Sequence, residues 1–260
     1  MDLYLKNRVV LITGGARGIG AAITKVCAQE GAIPVAVDRD AESCERLRKD
    51  LESEGLHASF LRTDLSSADN CKDAVQRAHS EFKRIDALVN NAGVNDRVGL
   101  ESGSPEEYRS SLQRNLLHYY DMAHYVLPHL KESRGSIVNI SSKTGVTGQG
   151  GTSGYASAKG AILALTREWA TELLDYGIRV NAVIPAEVIT PLYREWLETF
   201  PDPESKLNSI LSKIPLGRRM TTPDEIAAMV VFLISSRAGH ITGQHIFVDG
   251  GYVHLDRART

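Results

Sequence analysis

The chain has 260 residues, 42% apolar and 24% charged, which suits one globular α/β unit, and its formal net charge of −2 gives no electrostatic case for nucleic acid or an anionic membrane as a partner. No apolar run approaches the roughly 20 residues needed to span a bilayer, and the opening Met1-Asp2-Leu3-Tyr4-Leu5-Lys6 lacks the basic segment and apolar core of a signal peptide. Cys27, Cys44 and Cys71 show no Cys-x-x-Cys spacing, so a cytoplasmic setting is expected rather than a disulfide framework.

Arg8 to Thr13 is a short β-branched run ending in glycines and reads as a buried strand. Ile19 to Glu30 follows with helical spacing, then the apolar run Ile33 to Val37 stops at Asp38. Ala41 to Glu54 reads as a charged helix closed by Gly55, Ala58 to Leu61 as a third strand, Ser67 to Phe82 as a helix and Ala87 to Asn90 as a fourth strand. Pro105 opens a long helix to about Leu130, in keeping with proline at a first helical position. Ser136 to Ile140 and Ile178 to Ile184 read as strands, Ser153 to Tyr176 and Pro223 to Ile234 as helices, and Ile246 to Val248 as a closing strand. This alternation predicts a single domain over residues 1–260, an α/β fold with a doubly wound parallel sheet covered by helices on both faces. One long irregular insertion, about Ala186 to Leu216, carries four prolines together with Tyr193, Trp196 and Phe200. It is read as a substrate lid; the alternative is a helical excursion packed on the core or on a neighbouring subunit.

Thr13-Gly14-Gly15-Ala16-Arg17-Gly18-Ile19-Gly20 falls between the first strand and the first helix. Glycines there allow a tight turn and close backbone approach to a pyrophosphate, and the helix N-terminus offers free N–H groups and a positive dipole end. In that context the segment predicts a Rossmann-type dinucleotide site, with Gly14, Arg17, Gly18, Ile19 and Gly20 along the phosphates. Asp38, at the end of the second strand, can accept hydrogen bonds from the adenosine ribose. It would repel a 2′-phosphate by about 4 kcal/mol at about 4 Å and an effective dielectric of about 20. NAD is therefore the predicted cofactor, although Arg17 and Arg39 could each pair with the extra phosphate of NADP. Asp64 and Leu65 follow the third strand, where a side chain can meet the adenine edge; a helix N-cap region is the other reading. Asn91, Ala92 and Gly93 follow the fourth strand, where small residues let the backbone approach the cofactor.

Tyr155 and Lys159 stand four apart at the start of a predicted helix and share a face. A free tyrosine, with a pKa near 10, is a poor base at neutral pH. A nearby ammonium and the positive charge of oxidised nicotinamide would favour the phenolate, which can then act as a general base on a hydroxyl. The pair follows the strand ending in Ser141-Ser142, and ligands bind at the carboxyl ends of strands in such sheets.

Together, Thr-Gly-x-x-x-Gly-x-Gly, Asn-Asn-Ala-Gly, a serine thirteen residues before the tyrosine and Tyr-x-x-x-Lys resemble the short-chain dehydrogenase/reductase family, from Asn7 to about Tyr252. The resemblance implies Tyr155 as acid/base, Lys159 as the residue that lowers its pKa and binds the nicotinamide ribose, and Ser142 as the residue orienting the substrate oxygen, with Ser141 the alternative. It implies that Asn115 supports a water relay to Lys159, that Ile189 and Thr190 meet the nicotinamide carboxamide, and that the protein is an oligomer, most simply a homotetramer. The family often has Pro-Gly after the sixth strand; here Pro185-Ala186-Glu187 stands there, so the backbone near the carboxamide is expected to differ slightly.

The expected substrate pocket includes Asn95, Asp96, Ser142, Lys143, Gln149, Glu187, Tyr193 and Trp196 beside Tyr155. A polyhydroxylated molecule would satisfy such groups; a steroid or acyl chain would leave some unpaired at roughly 1–3 kcal/mol each. Residues 90–96, 115–120, 140–144 and 184–188 and the tail at 254–258 are similar to a group within the family, the bacterial L-fucose dehydrogenases. That resemblance implies oxidation of the anomeric carbon of L-fucose, L-galactose or D-arabinose to a lactone. A 3-oxoacyl-thioester reductase is the competing enzyme, followed by another secondary-alcohol dehydrogenase. No metal site is expected, because His118, His124 and His129 share a helix but not a ligand spacing, and the tail from Gly250 to Thr260 is weighed as a contributor to a neighbouring subunit's pocket.

Overall fold

The computed structural model describes residues 1–255. Its frame is a seven-stranded parallel sheet in the order β3-β2-β1-β4-β5-β6-β7, formed by β1 (Val9–Thr13), β2 (Ile33–Asp38), β3 (Ser59–Arg62), β4 (Ala87–Asn90), β5 (Ser136–Ile140), β6 (Arg179–Pro185) and β7 (His245–Val248). The inner strands are mostly apolar because both of their faces are covered, with polar residues such as Asn90, Asn139 and Asn181 among them. Along β1, Val9 and Leu11 join one core cluster while Val10 and Ile12 join another on the opposite face.

The first cluster is capped by α3 (Ala68–Phe82), α5 (His118–Ser133) and α6 (Ser153–Glu172), the second by α1 (Gly18–Gln29) and α9 (Pro223–Ile234). Helix α2 (Ala41–Ser53) buries Cys44, Leu47 and Leu51, and α4 (Pro105–Leu112) leads towards α5. β1 has β2 on one side and β4 on the other, so the chain reverses its direction of winding there and opens a crevice at the strand carboxyl ends.

Three readings of the sequence change. The helix expected to run unbroken from Pro105 ends at Leu112, and a π-helical turn, Gln113–Leu117, precedes α5. Asn115 Nδ2 donates to the Ser111 carbonyl four residues back, taking an acceptor the regular turn would use. The helix from Ser153 stops at Glu172 and is followed by a 3₁₀ turn, Leu174–Tyr176. The insertion at 186–216 is not irregular: it holds α7 (Pro191–Leu197) and α8 (Pro203–Leu211). Pro191 and Pro203 begin these helices rather than break them, behind the N-caps Thr190 and Asp202. The tail reading extends to residues 256–260, which lie outside the described residues.

At the opposite end of the sheet Asp86 joins the starts of β1 and β4. It accepts from Val9 N at 2.8 Å, Arg8 at 2.7 Å and Arg84 at 2.6 and 2.8 Å, and is 7% exposed. Burial works to raise its carboxyl, but the two guanidiniums and the Val9 N–H outweigh it and hold the pKa below the ordinary value. Asp86→Ala strands a buried N–H and is expected to cost about 2 kcal/mol, or roughly 4–8 °C in Tm by calorimetry.

Candidate active site

The cleft at the carboxyl ends of β1, β4, β5 and β6 has a volume of about 340 Å³. Its floor is the glycine turn. Gly14 takes a left-handed φ of 61°, and a Cβ at Gly20 would lie 1.9 Å from the Gly14 carbonyl, so α1 abuts its own turn in a way only glycine allows. Thr13 Oγ1 accepts from the backbone N–H groups of Asn91 at 2.9 Å and Ala92 at 3.1 Å, while Asn91 Nδ2 donates to the carbonyls of Thr13 and Gly14. The loops after β1 and β4 are thereby laced together. Arg17 is the N-cap of α1 and supplies no side-chain cap, which leaves first-turn N–H groups at the cleft beside Gly18 and Ile19. An anionic pyrophosphate fits that turn.

Gly14, Arg17, Gly18, Ile19, Asn91, Ala92, Gly93, Pro185 and Thr190 all line this cleft. Gly20 lies beneath it as packing, and Ile189 points its N–H at the Thr221 carbonyl, 3.1 Å away, without lining the cleft. Asp38, at the end of β2, is oriented by the glycine turn itself: Ala16 N–H donates to Oδ2 at 3.2 Å and Asp40 N–H to Oδ1 at 3.1 Å. Arg39 is exposed and stands 4.0 Å from Asp64. The Leu65 side chain is buried in the core, so it does not meet an adenine edge and any contact from this residue would come from its backbone. The Arg17 guanidinium is also committed: it pairs with Glu195 of α7, across the mouth of the cleft.

Helix α6 carries Tyr155 and Lys159 into the same cleft. Lys159 is 2% exposed, and its Nζ donates to the Ile140 carbonyl at 2.8 Å and to the Tyr119 hydroxyl at 3.0 Å. It stands 5.6 Å from the centre of the Tyr155 ring. Ser141 and Ser142 both line the cleft; Ser142 Oγ accepts from Thr144 N and Thr144 Oγ1 at 3.3 and 3.1 Å, while the buried Ser141 Oγ donates to the Lys159 carbonyl at 2.8 Å. Asn115 is buried; its Oδ1 accepts from Val94 N at 2.7 Å, which holds the loop after β4 near Lys159. Burial pushes Tyr155 up to about 12, with the Ser142 hydroxyl working the other way and Asp96 adding to the rise. Burial also brings Lys159 down to about 7. Without cofactor, burial therefore dominates at Tyr155, and the positive charge expected of oxidised nicotinamide would be needed beside the lysine to favour the phenolate.

At the substrate end, Asn95, Ser142, Tyr155 and Tyr193 line the cleft. Other expected contacts do not. Asp96 is committed to Ser111, Arg114 and Asn115 as an anchor for the loop after β4. Gln149 is exposed and away from the cleft lining, and Trp196 packs edge-on against Tyr193 and Phe200 rather than facing a ligand. Lys143 and Glu187 pair with each other, each side chain 12% exposed, and Tyr193 OH donates to Glu187 at 2.6 Å. Lys143 also sits 4.2 Å from the Tyr252 ring centre. This charged group backs the cleft at Tyr193 instead of lining it. Tyr119 carries no signal in the sequence beyond its place four residues after Asn115. Among the described residues one metal-type grouping occurs, His79, His129 and Glu132, but none of the three lines the cleft, and the two rings stack at 4.0 Å.

A glycine turn at the switch point of a parallel sheet, with a tyrosine and a buried lysine beside it, defines the class of dinucleotide-linked α/β oxidoreductases. The family model described as Enoyl-(Acyl carrier protein) reductase matches residues 14–253. The chain is 38% identical over 254 residues to the 3-oxoacyl-(acyl-carrier-protein) reductase FabG of Thermotoga maritima, covering 96% of this chain and 100% of that one. It is 39% identical over 246 residues to the L-fucose dehydrogenase of Oryctolagus cuniculus, covering 94% and 84%. The crystal structure of Cj0485 dehydrogenase superposes with a TM-score of 0.93 at 49% identity, over 99% of this chain and 98% of that one. The chain belongs to the short-chain dehydrogenase/reductase family, whose oxidoreductases act on CH–OH groups with NAD(P). No helix among the described residues is long and apolar enough to cross a membrane.

Proposed function

We propose that this protein oxidises the C1 hydroxyl of an aldopyranose of the L-fucose type, with L-galactose and D-arabinose as further substrates, to the lactone, using NAD. One observation carries the substrate class: the cleft beside Tyr155 is lined by Asn95, Ser142 and Tyr193 and backed by the Lys143–Glu187 pair. An acyl chain laid there would desolvate the Asn95 amide and the Ser142 hydroxyl without offering them hydrogen bonds, whereas ring hydroxyls can both donate and accept. The similarity to a mammalian L-fucose dehydrogenase supports the same reading. The similarity to a 3-oxoacyl reductase favours a second one, reduction of a thioester-borne ketone, and the hydrogen-bonding groups of Asn95 and Ser142 in the cleft lining argue against it.

In the proposed reaction the oxidised dinucleotide, when bound, supplies the hydride acceptor and a positive charge. Gly14, Gly18 and the first turn of α1 would hold its phosphates, and Asp38 its adenosine ribose. Ser142 holds the C1 hydroxyl oxygen. Tyr155 takes the hydroxyl proton as the C1 hydrogen leaves as hydride, so that C1 becomes the lactone carbonyl. Lys159 keeps positive charge beside the phenolate. NAD is favoured over NADP because the Asp38 carboxylate, at the end of β2, would repel a 2′-phosphate on the adenosine ribose. Helices α7 and α8 act as the lid, fastened over the cleft by the Arg17–Glu195 pair. A panel of aldoses with NAD at mildly alkaline pH tests the assignment. NAD reduction with L-fucose, L-galactose or D-arabinose is expected; none with these three, together with turnover of a 3-oxoacyl thioester, would overturn it.

A further inference from the structure

We infer that Tyr119 is a positioning residue for Lys159: its buried hydroxyl, fixed by the Ile140 carbonyl, presents an acceptor that holds the lysine side chain in place and favours its charged form. The inference rests on the proposed hydride-transfer reading. It comes from a closed triangle of hydrogen bonds. Lys159 Nζ donates to Tyr119 OH at 3.0 Å and to the Ile140 carbonyl at 2.8 Å, and Tyr119 OH donates to that same carbonyl at 2.9 Å. Because the phenol proton is committed to Ile140, only the oxygen lone pairs face the amine. An ammonium has three N–H donors; two are taken here, which leaves one for the cleft that Lys159 lines. Three elements meet at this point: Tyr119 comes from α5, Lys159 from α6 and Ile140 from the end of β5. Tyr119 is fully buried, so its hydroxyl cannot be replaced by bulk water without rearrangement.

The charge state of Lys159 is finely poised, since burial brings it down to about 7. The other titratable and charged groups around it are few. Tyr155 stands on the same helix, Asp96 acts on Tyr155 from the loop after β4, and from α5 His118 feels Lys159 but is itself pulled down to about 4 by burial. Strand β5 contributes a carbonyl and the hydroxyls of Ser141 and Ser142. Burial keeps Tyr119 itself protonated, well above the usual phenol range. Deleting its acceptor lone pairs destabilises the ammonium, lowers the Lys159 pKa further and removes positive charge from beside Tyr155. The Tyr155 phenolate then forms at higher pH.

The test is the pH profile of kcat/KM for the wild type, Tyr119→Phe and Tyr119→Met, from pH 6 to 10, with the aldose the wild type oxidises best and with NADH binding followed by fluorescence as a check of folding. Both variants lack the hydroxyl and fill most of its space. With NAD saturating, so that the positive charge of the bound nicotinamide brings the Tyr155 limb into this range, the acid limb for oxidation is expected to move to higher pH by about half to one unit, a loss of roughly 3- to 10-fold below the limb that disappears on the alkaline plateau. An unmoved limb, or an equal loss at every pH, would overturn the inference. So would failure of both variants to bind NADH, which would make Tyr119 a framework residue. A wild type that oxidises no alcohol would instead remove the hydride-transfer reading on which it rests, and the inference with it.

Discussion

Tyr155→Phe is expected to lower kcat by about 10²- to 10⁴-fold while leaving NADH affinity within about twofold. The change removes one oxygen from a ring that α6 already holds in place. Lys159 is untouched by it, because the amine is anchored to Tyr119 and Ile140 rather than to Tyr155. The dinucleotide cradle is untouched too, since it is built from the turn after β1 and the loop after β4. What disappears is the group within reach of the substrate oxygen that can accept its proton. The pH dependence of the wild type follows the same chemistry. Burial sets Tyr155 at about 12, above an ordinary tyrosine, so its base form gains population as pH rises. Oxidation should therefore accelerate towards alkaline pH and the reverse reduction, which needs the protonated phenol, should slow. Stopped-flow and steady-state rates in both directions measure this, and a Phe variant retaining more than a tenth of wild-type kcat would remove Tyr155 from the mechanism.

The second large effect is expected at the adenosine end. Asp38→Asn should raise the ratio of kcat/KM for NADP over NAD by about 10²- to 10³-fold, since removing one of two unit charges about 4 Å apart relieves roughly 4 kcal/mol. Asn is the informative substitution. It keeps an oxygen for the Ala16 N–H that Asp38 now receives at 3.2 Å, so the glycine turn retains its shape while the charge is lost. Arg39, exposed and only loosely associated with Asp64, is then free to meet the added phosphate. Kinetics with both cofactors at one saturating aldose concentration give the ratio directly. No change in it would mean that Asp38 does not face the ribose.

Much of the fold was legible because strands buried on both faces are largely apolar: Val9–Thr13 and Ser136–Ile140 are buried at every position and, despite Thr13, Ser136 and Asn139, stand out as strands in the sequence. Where polarity intervenes, the reading slips. β3 runs on to Arg62, which pairs in register with Asp38, and nothing in its apolar content announces that residue. Prolines misled in the lid, because a proline that ends a helix and one that begins a helix look alike until the capping residue before it is weighed. In the cleft, the groups set by consecutive residues were legible: the glycine turn and the Tyr155–Lys159 pair each sit on one segment. Of the polar residues proposed for the substrate beside Tyr155, Asn95, Ser142 and Tyr193 line the cleft; the others do not, and this was not legible, since a sequence does not show which hydrogen-bonding groups already satisfy one another. Asp96 spends its oxygens on Ser111, Arg114 and Asn115, and Glu187 spends its own on the Lys143 ammonium and the Tyr193 hydroxyl. Tyr119 stayed hidden for the same reason, as its meaning arises only where α5, α6 and β5 converge.

The Lys143–Glu187–Tyr193 linkage has an evolutionary corollary. Its three members come from the segment after β5, the segment after β6 and helix α7, and the two charges are largely shielded from solvent. Breaking one partner of such a pair leaves its mate uncompensated, whereas exchanging both can be close to neutral. Single-site libraries at these positions would therefore return mostly damaged proteins, and routes to a new substrate range would pass through paired substitutions, a ratchet that keeps the inherited preference in place long after selection for it has relaxed.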